Sequence, residues 1–201
     1  MKKSILAVLL AIALITPVFA SEKKDMEVDL KFGYTLDTNV KLYLTDPDIV
    51  ANPYMDSGAT DKGVILATDF YYYVNSQVAL GLGINYIFDS KANYGWSDEY
   101  GFTNIYFAVK PKMNLDSDIL ESLYFIGQIG YGFFRFDSDN IANPGTSNGL
   151  YWGMGLGVET DYDVFIELIH SFNYGSVDTK NNTNDMIYST LALNIGYKFK
   201  L

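Results

Sequence analysis

The chain has 201 residues, no cysteine, 16% aromatic residues and a formal charge of -10. The missing cysteines exclude a disulfide framework and a lipid-bearing cysteine. The acidic balance excludes a nucleic-acid binder, which needs a basic face.

Residues 1–20 read as a secretory signal: Lys2 and Lys3 form the positive start, Ile5 to Ile15 the apolar run, and Val18-Phe19-Ala20 the small-residue cleavage site. That run is shorter than the ~20 residues a spanning helix needs. Loss of the two lysines takes the charge to -12 (-10 − 2), and residues 21–201 fit one domain.

The rest alternates apolar and polar residues, the period of a strand. Eight such segments are expected. The first runs from Val28 to Leu44, with Val28, Leu30, Phe32, Tyr34, Leu36, Val40, Leu42 and Leu44 on one face. Asp37-Thr38-Asn39 could break it, but the parity carries across, so one long strand is expected. Val64 to Val74, Gln77 to Phe88 and Phe102 to Leu115 follow, the last with Pro111 on its apolar face, where a missing N–H weakens the ladder. Leu123 to Phe136, Gly149 to Thr160, Val164 to Tyr174 and Tyr188 to Leu201 complete the set.

The connections alternate in length. Asn75-Ser76, Asp116 to Ser122 and Asp161 to Asp163 are short; Thr45 to Gly63, Asp89 to Gly101, Asp137 to Asn148 and Gly175 to Asp185 are long and polar. An even strand number with short turns at one end and long loops at the other predicts an all-β, eight-stranded antiparallel up-and-down transmembrane β-barrel. The termini then fall on the periplasmic side and the long loops outside.

The contrast between faces decides membrane against soluble. A soluble barrel keeps its apolar face inside; a membrane barrel turns it outward, with aromatic girdles at both interfaces. Tyr86, Phe88, Tyr131, Phe133, Trp152, Phe172 and Tyr174 gather near the loop ends, and Phe70, Tyr72, Phe125, Tyr197 and Phe199 near the turn ends. The other face carries Asp29, Lys31, Asp69, Lys110, Lys112, Glu159, Glu167 and Lys198 among many glycines. A soluble core cannot bury that many charges cheaply. The polar face is therefore the lumen.

The closing stretch Asn194-Ile195-Gly196-Tyr197-Lys198-Phe199-Lys200-Leu201 resembles the terminal signal of bacterial outer-membrane barrels, with Asn194, Gly196, Phe199 and Leu201 at its marked positions. The resemblance implies recognition by the barrel-assembly machinery. Leu123 to Gly132, Gly149 to Glu159 and Phe165 to Leu168 resemble the fifth, sixth and seventh strands of the small outer-membrane β-barrel family of the OmpX, OmpW and opacity-protein types. The resemblance implies a barrel in outer-membrane lipid and carries no particular function across.

Four constellations remain. The lumen charges near the short turns, four acids facing four bases, read as a filling ion-pair plug or as the gate of a narrow channel; eight strands leave room only for side chains. Tyr43, Ile65, Ile87, Tyr106, Phe134, Tyr151, Ile169 and Tyr188 share inward parity near the loops. They read as plain packing or as a semi-apolar ligand cup, and the likeness to OmpW-type proteins, associated with passage of small hydrophobic molecules, lends the cup some support. His170 and Ser171 are adjacent, so in a strand they point to opposite faces and form no dyad; His170 reads as an outward interface residue. Asp46, Asp48, Asp56, Asp61, Asp98 and Glu99 in the long loops read as solvated surface or as a cation site, without the spacing of a calcium loop.

The leading expectation is a non-enzymatic, monomeric surface barrel, without cofactor, serving envelope integrity or contact with an extracellular partner through its loops. A narrow channel or uptake protein for small hydrophobic molecules is the alternative, and a lipid-modifying enzyme the third.

Overall fold

Backbone groups left unpaired in hydrocarbon are costly, so strands cross a bilayer only as a closed ring. The computed structural model describes residues 26–43, 54–59, 63–91, 99–117, 119–137, 146–178 and 183–201, with backbone alone at 40–43, 54–59, 89–91, 99–100, 134–137, 146–147, 177–178 and 183–184. The strands are β1 (Met26–Tyr43), β2 (Tyr54–Ala59), β3 (Val64–Asn75), β4 (Val78–Lys91), β5 (Glu99–Asn114), β6 (Leu120–Asp137), β7 (Thr146–Thr160), β8 (Val164–Asp178) and β9 (Thr183–Lys200). Every pairing is antiparallel, β3 to β9 follow one another, and β9 returns to β1. The ring has eight strands. The ninth, β2, stands off it, paired to the top of β1 at Asn39–Tyr43.

The ring is sheared. From Thr38 the register passes through Thr190, Ser171, Gly153, Gln128, Ala108, Gly81 and Tyr71, and returns to β1 at Glu27, far below its start. A closed barrel needs such an offset, with strands tilted by about 35–45°. All nine positions face inward and are buried.

The faces divide as a membrane barrel requires. Phe107 is 67% exposed, and Ile105, Ile129, Phe125 and Ile195 are exposed with it, while Lys110, Glu167 and Asp29 are buried. Girdle pairs meet at both ends: Tyr86 edge-on to Phe88 and Trp152 stacked on Phe172 toward the loops, Tyr197 edge-on to Phe199 toward the turns. Phe125 to Phe133 of β6 are nine residues, within the ~9–11 of a tilted spanning strand.

One local feature departs from the sequence expectation. β1 is a single strand, but its parity does not survive. A bulge between Thr35 and Asp37 leaves Leu36 and Asp37 both exposed and turns Thr38 inward. An extra residue in one strand reverses the face of everything beyond it. Below the bulge Leu30, Phe32, Tyr34 and Leu36 face outward. Above it the register aligns Val40 with Tyr188 and Leu42 with Met186, both buried in the lumen, so these positions belong to the inner face rather than the lipid face. Leu44 lies outside the described residues.

The strands also outrun the membrane. β1, β6 and β9 each have 18 residues, against ~9–11 for a spanning strand. The barrel therefore continues as a rim past the loop-end girdle, and β8 and β9 consume most of the expected Gly175–Asp185 loop.

Candidate functional site: the lumen

Inward parity brings the charged residues of six strands into one network near the turn end. Lys110 is its hub: Nζ lies 3.0 Å from Glu27 Oε1, 3.0 Å from Asp29 Oδ2 and 2.8 Å from Glu159 Oε1. It also sits 4.7 Å over the Tyr71 ring and 4.5 Å over the Tyr124 ring, each a further attraction for a cation. Lys112 donates to Glu159 at 2.9 Å, and Lys198 to Glu121 at 2.8 Å. Lys31 donates to Glu167 at 2.8 Å and pairs with Asp69.

Hydroxyls complete the carboxylates. Tyr73 donates to Glu27 at 2.7 Å, Ser122 to Glu159 at 2.9 Å, Tyr124 to Glu167 at 2.9 Å and Tyr106 to Asp69 at 2.6 Å. All eight lumen charges expected from parity meet here. Sequence reasoning missed Glu27 and Glu121. Glu27 lies one residue before the expected start of the first strand, and extending the same parity would have found it. With Glu27, five inward carboxylates (Glu27, Asp29, Asp69, Glu159, Glu167) face four lysines, so the expected even balance does not hold among the described residues.

The upper lumen is built differently. Ile65, Ile87, Tyr106, Tyr151, Ile169 and Tyr188 are all buried and inward, as parity expects. Tyr43 is not among them: beyond the bulge its register partner is the exposed Asp185, so its position is on the other face. Phe134 has a described backbone only, opposite the inward Phe102. Tyr106 is a floor rather than a wall, its hydroxyl held by Asp69. Phe102 stacks on Tyr188 with centroids 4.0 Å apart. Below that stack Asn104 donates to Asn85 at 2.8 Å, and Tyr151 donates to Gln128 at 2.6 Å.

His170 is exposed on the outer face, its ring centroid 4.5 Å from that of Phe172, while Ser171 is buried inside. In the closing strand Phe199 and Leu201 are exposed, Asn194 is buried in the lumen, and Gly196 lies where a Cβ would meet the Phe165 ring. Packing alone therefore requires a glycine at 196. The acidic loop candidates Asp46, Asp48, Asp61 and Asp98 lie outside the described residues, as do the side chains of Asp56 and Glu99.

An apolar band outside a charged lumen is decided further by comparison with known proteins. Residues 6–199 match the family model for an outer membrane protein beta-barrel domain. The chain belongs to that family. Its place is the bacterial outer membrane, and its fold is that of the small eight-stranded outer-membrane barrels. Neisserial surface protein A is similar in structure, with a TM-score of 0.55 and 13% identity over 87% of this chain and 97% of that one. Ail of Yersinia pestis follows with a TM-score of 0.53 and 14% identity, over 89% of this chain and 100% of that one. At such identities the likeness concerns the fold alone. Among curated proteins no match is found.

Proposed function

We propose that this outer-membrane barrel is a non-conducting, non-enzymatic scaffold that holds extracellular loops clear of the lipid for envelope integrity or surface contact. The observation that carries it is the plug: Lys110, Lys31 and Lys198 each bind two or more carboxylates and are almost wholly buried. Water and ions have no path through such a network, and eight strands leave no room beside it. Strands of 18 residues support the second half of the reading, because they lift the loops beyond the girdle. Ail, which has the same fold, is named as an attachment invasion locus protein.

In this reading residues 1–20 are removed on export, the termini are periplasmic, and the long loops are extracellular. The barrel works as a monomer surrounded by outer-membrane lipid. The exposed Phe199 and Leu201 offer the closing strand to the assembly machinery.

Planar-bilayer recording tests it. The purified barrel is expected to give no steady conductance. Lys31→Met, which removes the cation paired with both Glu167 and Asp69, is expected to produce brief openings. Discrete steady openings of the unaltered barrel would reject the scaffold reading in favour of a channel.

A further inference from the structure

We propose that the lumen tyrosines carry single electrons across the barrel, so that a lipid peroxyl radical at the loop-end interface is reduced by a thiol at the turn end. This goes beyond the scaffold reading and does not depend on it.

The path starts at Trp152, which lies on the outer face and stacks on Phe172 with centroids 4.3 Å apart. The residue before it, Tyr151, points inward and is buried. Its ring centroid lies 5.3 Å from that of Tyr106. Tyr151, Tyr106 and Tyr71 belong to one packed cluster, and Tyr73 packs against it from the turn end. Glycines make the room. A Cβ on Gly83 would strike the Tyr106 ring, and a Cβ on Gly81 the Tyr71 ring. The two glycines are two residues apart on β4, so the rings cover neighbouring positions of one face. Aromatic rings packed in this way exchange electrons, and the row runs from the loop-end girdle to the turn-end mouth.

A phenol gives up an electron readily when a base stands ready for its proton. A carboxylate within hydrogen-bond reach is such a base. Tyr106 donates to Asp69 Oδ1 at 2.6 Å, Tyr71 to Asp69 Oδ2 at 3.1 Å and Tyr73 to Glu27 at 2.7 Å. Tyr151 donates instead to the Gln128 amide at 2.6 Å. An amide oxygen accepts a hydrogen bond but does not take the proton, so Tyr151 is a bridge between Trp152 and Tyr106 rather than a stop. Satisfying a lumen carboxylate needs a hydroxyl and no ring, since Ser122 serves Glu159 at 2.9 Å. The rings add the capacity to hold an unpaired electron.

The steps balance. The peroxyl radical takes one electron from the Trp152 indole, and the resulting peroxide anion takes a proton from interfacial water to become the hydroperoxide. The indole radical cation takes an electron from Tyr106, whose O–H bond breaks as the proton passes to Asp69. Tyr71 then reduces Tyr106: its proton goes to Asp69 while Asp69 returns the first one to Tyr106. Tyr73 reduces Tyr71 in turn, passing its own proton to Glu27 while Tyr71 regains one from Asp69. At the mouth a thiol gives a hydrogen atom to the Tyr73 oxygen and is left as a thiyl radical, and Glu27 releases its proton to water. The net change is reduction of one peroxyl radical and oxidation of one thiol.

The chain has two tryptophans, so Trp96→Phe leaves Trp152 as the sole indole. The full barrel in lipid vesicles would be flashed with a membrane-bound photo-oxidant that removes one electron, and the radicals followed by transient absorption and electron spin resonance. The indole radical is expected to give way to a tyrosyl radical. With Tyr106→Phe added, the indole radical is expected to decay at about one-tenth of that rate. Tyr131→Phe, which alters an exposed ring of the outer wall, is expected to leave the decay unchanged. A water-soluble thiol is expected to discharge the tyrosyl radical, and Tyr73→Phe to slow that discharge. An indole radical that decays as fast without Tyr106, or that yields no tyrosyl signal in the otherwise unaltered barrel, would overturn the proposal. Should Tyr106→Phe lose the heat-modifiable gel migration of a folded barrel, the Tyr73→Phe barrel decides. Thiol discharge at the unaltered rate there would overturn the proposal.

Discussion

The Lys110→Met barrel is expected to lose about 3–5 kcal/mol of stability, the usual result of removing one partner from a buried ion pair. Methionine replaces most of the aliphatic stem. It leaves Glu27, Asp29 and Glu159 without the ammonium that all three approach within 3.0 Å. Those carboxylates are buried, and Lys112 and Lys198 relieve only Glu27 and Glu159. Against a typical margin of ~5–15 kcal/mol for a folded domain, the loss should appear as a large drop in the urea midpoint of the refolded barrel. The control is Lys200→Met. Its pair with Asp163, at 2.9 Å, is 60% exposed on the lysine side, and such surface pairs contribute about 0–1 kcal/mol. Equal midpoints for the two variants would mean that the carboxylates around Lys110 reach solvent and that the plug is open.

Phe107→Lys is expected to cost about 2–4 kcal/mol in a bilayer, the penalty of a cation at the midplane of a barrel's lipid face. Phe107 is 67% exposed. Its register neighbours are Leu82 and Ile129, and Ile129 lies between the girdle residues Phe125 and Phe133 on β6. On a soluble protein a charge at so exposed a position would be nearly neutral. Folding efficiency into vesicles, measured for Phe107→Lys and Phe107→Ala side by side, separates loss of the ring from gain of the charge. Indistinguishable variants would place this face in water.

Much of this was legible in the residues. Alternation such as Leu80, Leu82, Ile84, Tyr86 and Phe88 against Gly81, Gly83 and Asn85 marks a strand and its two faces, because the pleat has a period of two. Which face meets lipid followed from chemistry: lysines and carboxylates at every second position need one another, and only a shared lumen lets them meet. Strand ends were less legible. Polar residues suit a loop or a rim strand in water equally well, so Tyr54–Ala59, Gly175 to Asp178 of β8 and Thr183 to Ile187 of β9 gave no signal of pairing. Glu27 was lost for the same reason.

The sequence alone determined the class: a closed antiparallel barrel with an apolar exterior and a charged interior, ending in an amphipathic strand. Local alternation suffices for that, since each residue's face depends only on its neighbours in the chain. Only the tertiary structure decided the bulge between Thr35 and Asp37, the convergence of Glu27, Asp29 and Glu159 on Lys110 and the end of the β7–β8 ladder at Tyr151–Asn173. Each depends on register between strands, and register is set by the closure of the whole ring. A shift of one residue reverses a face, which is why Val40, Leu42 and Tyr43 stand opposite to what the first strand alone suggests.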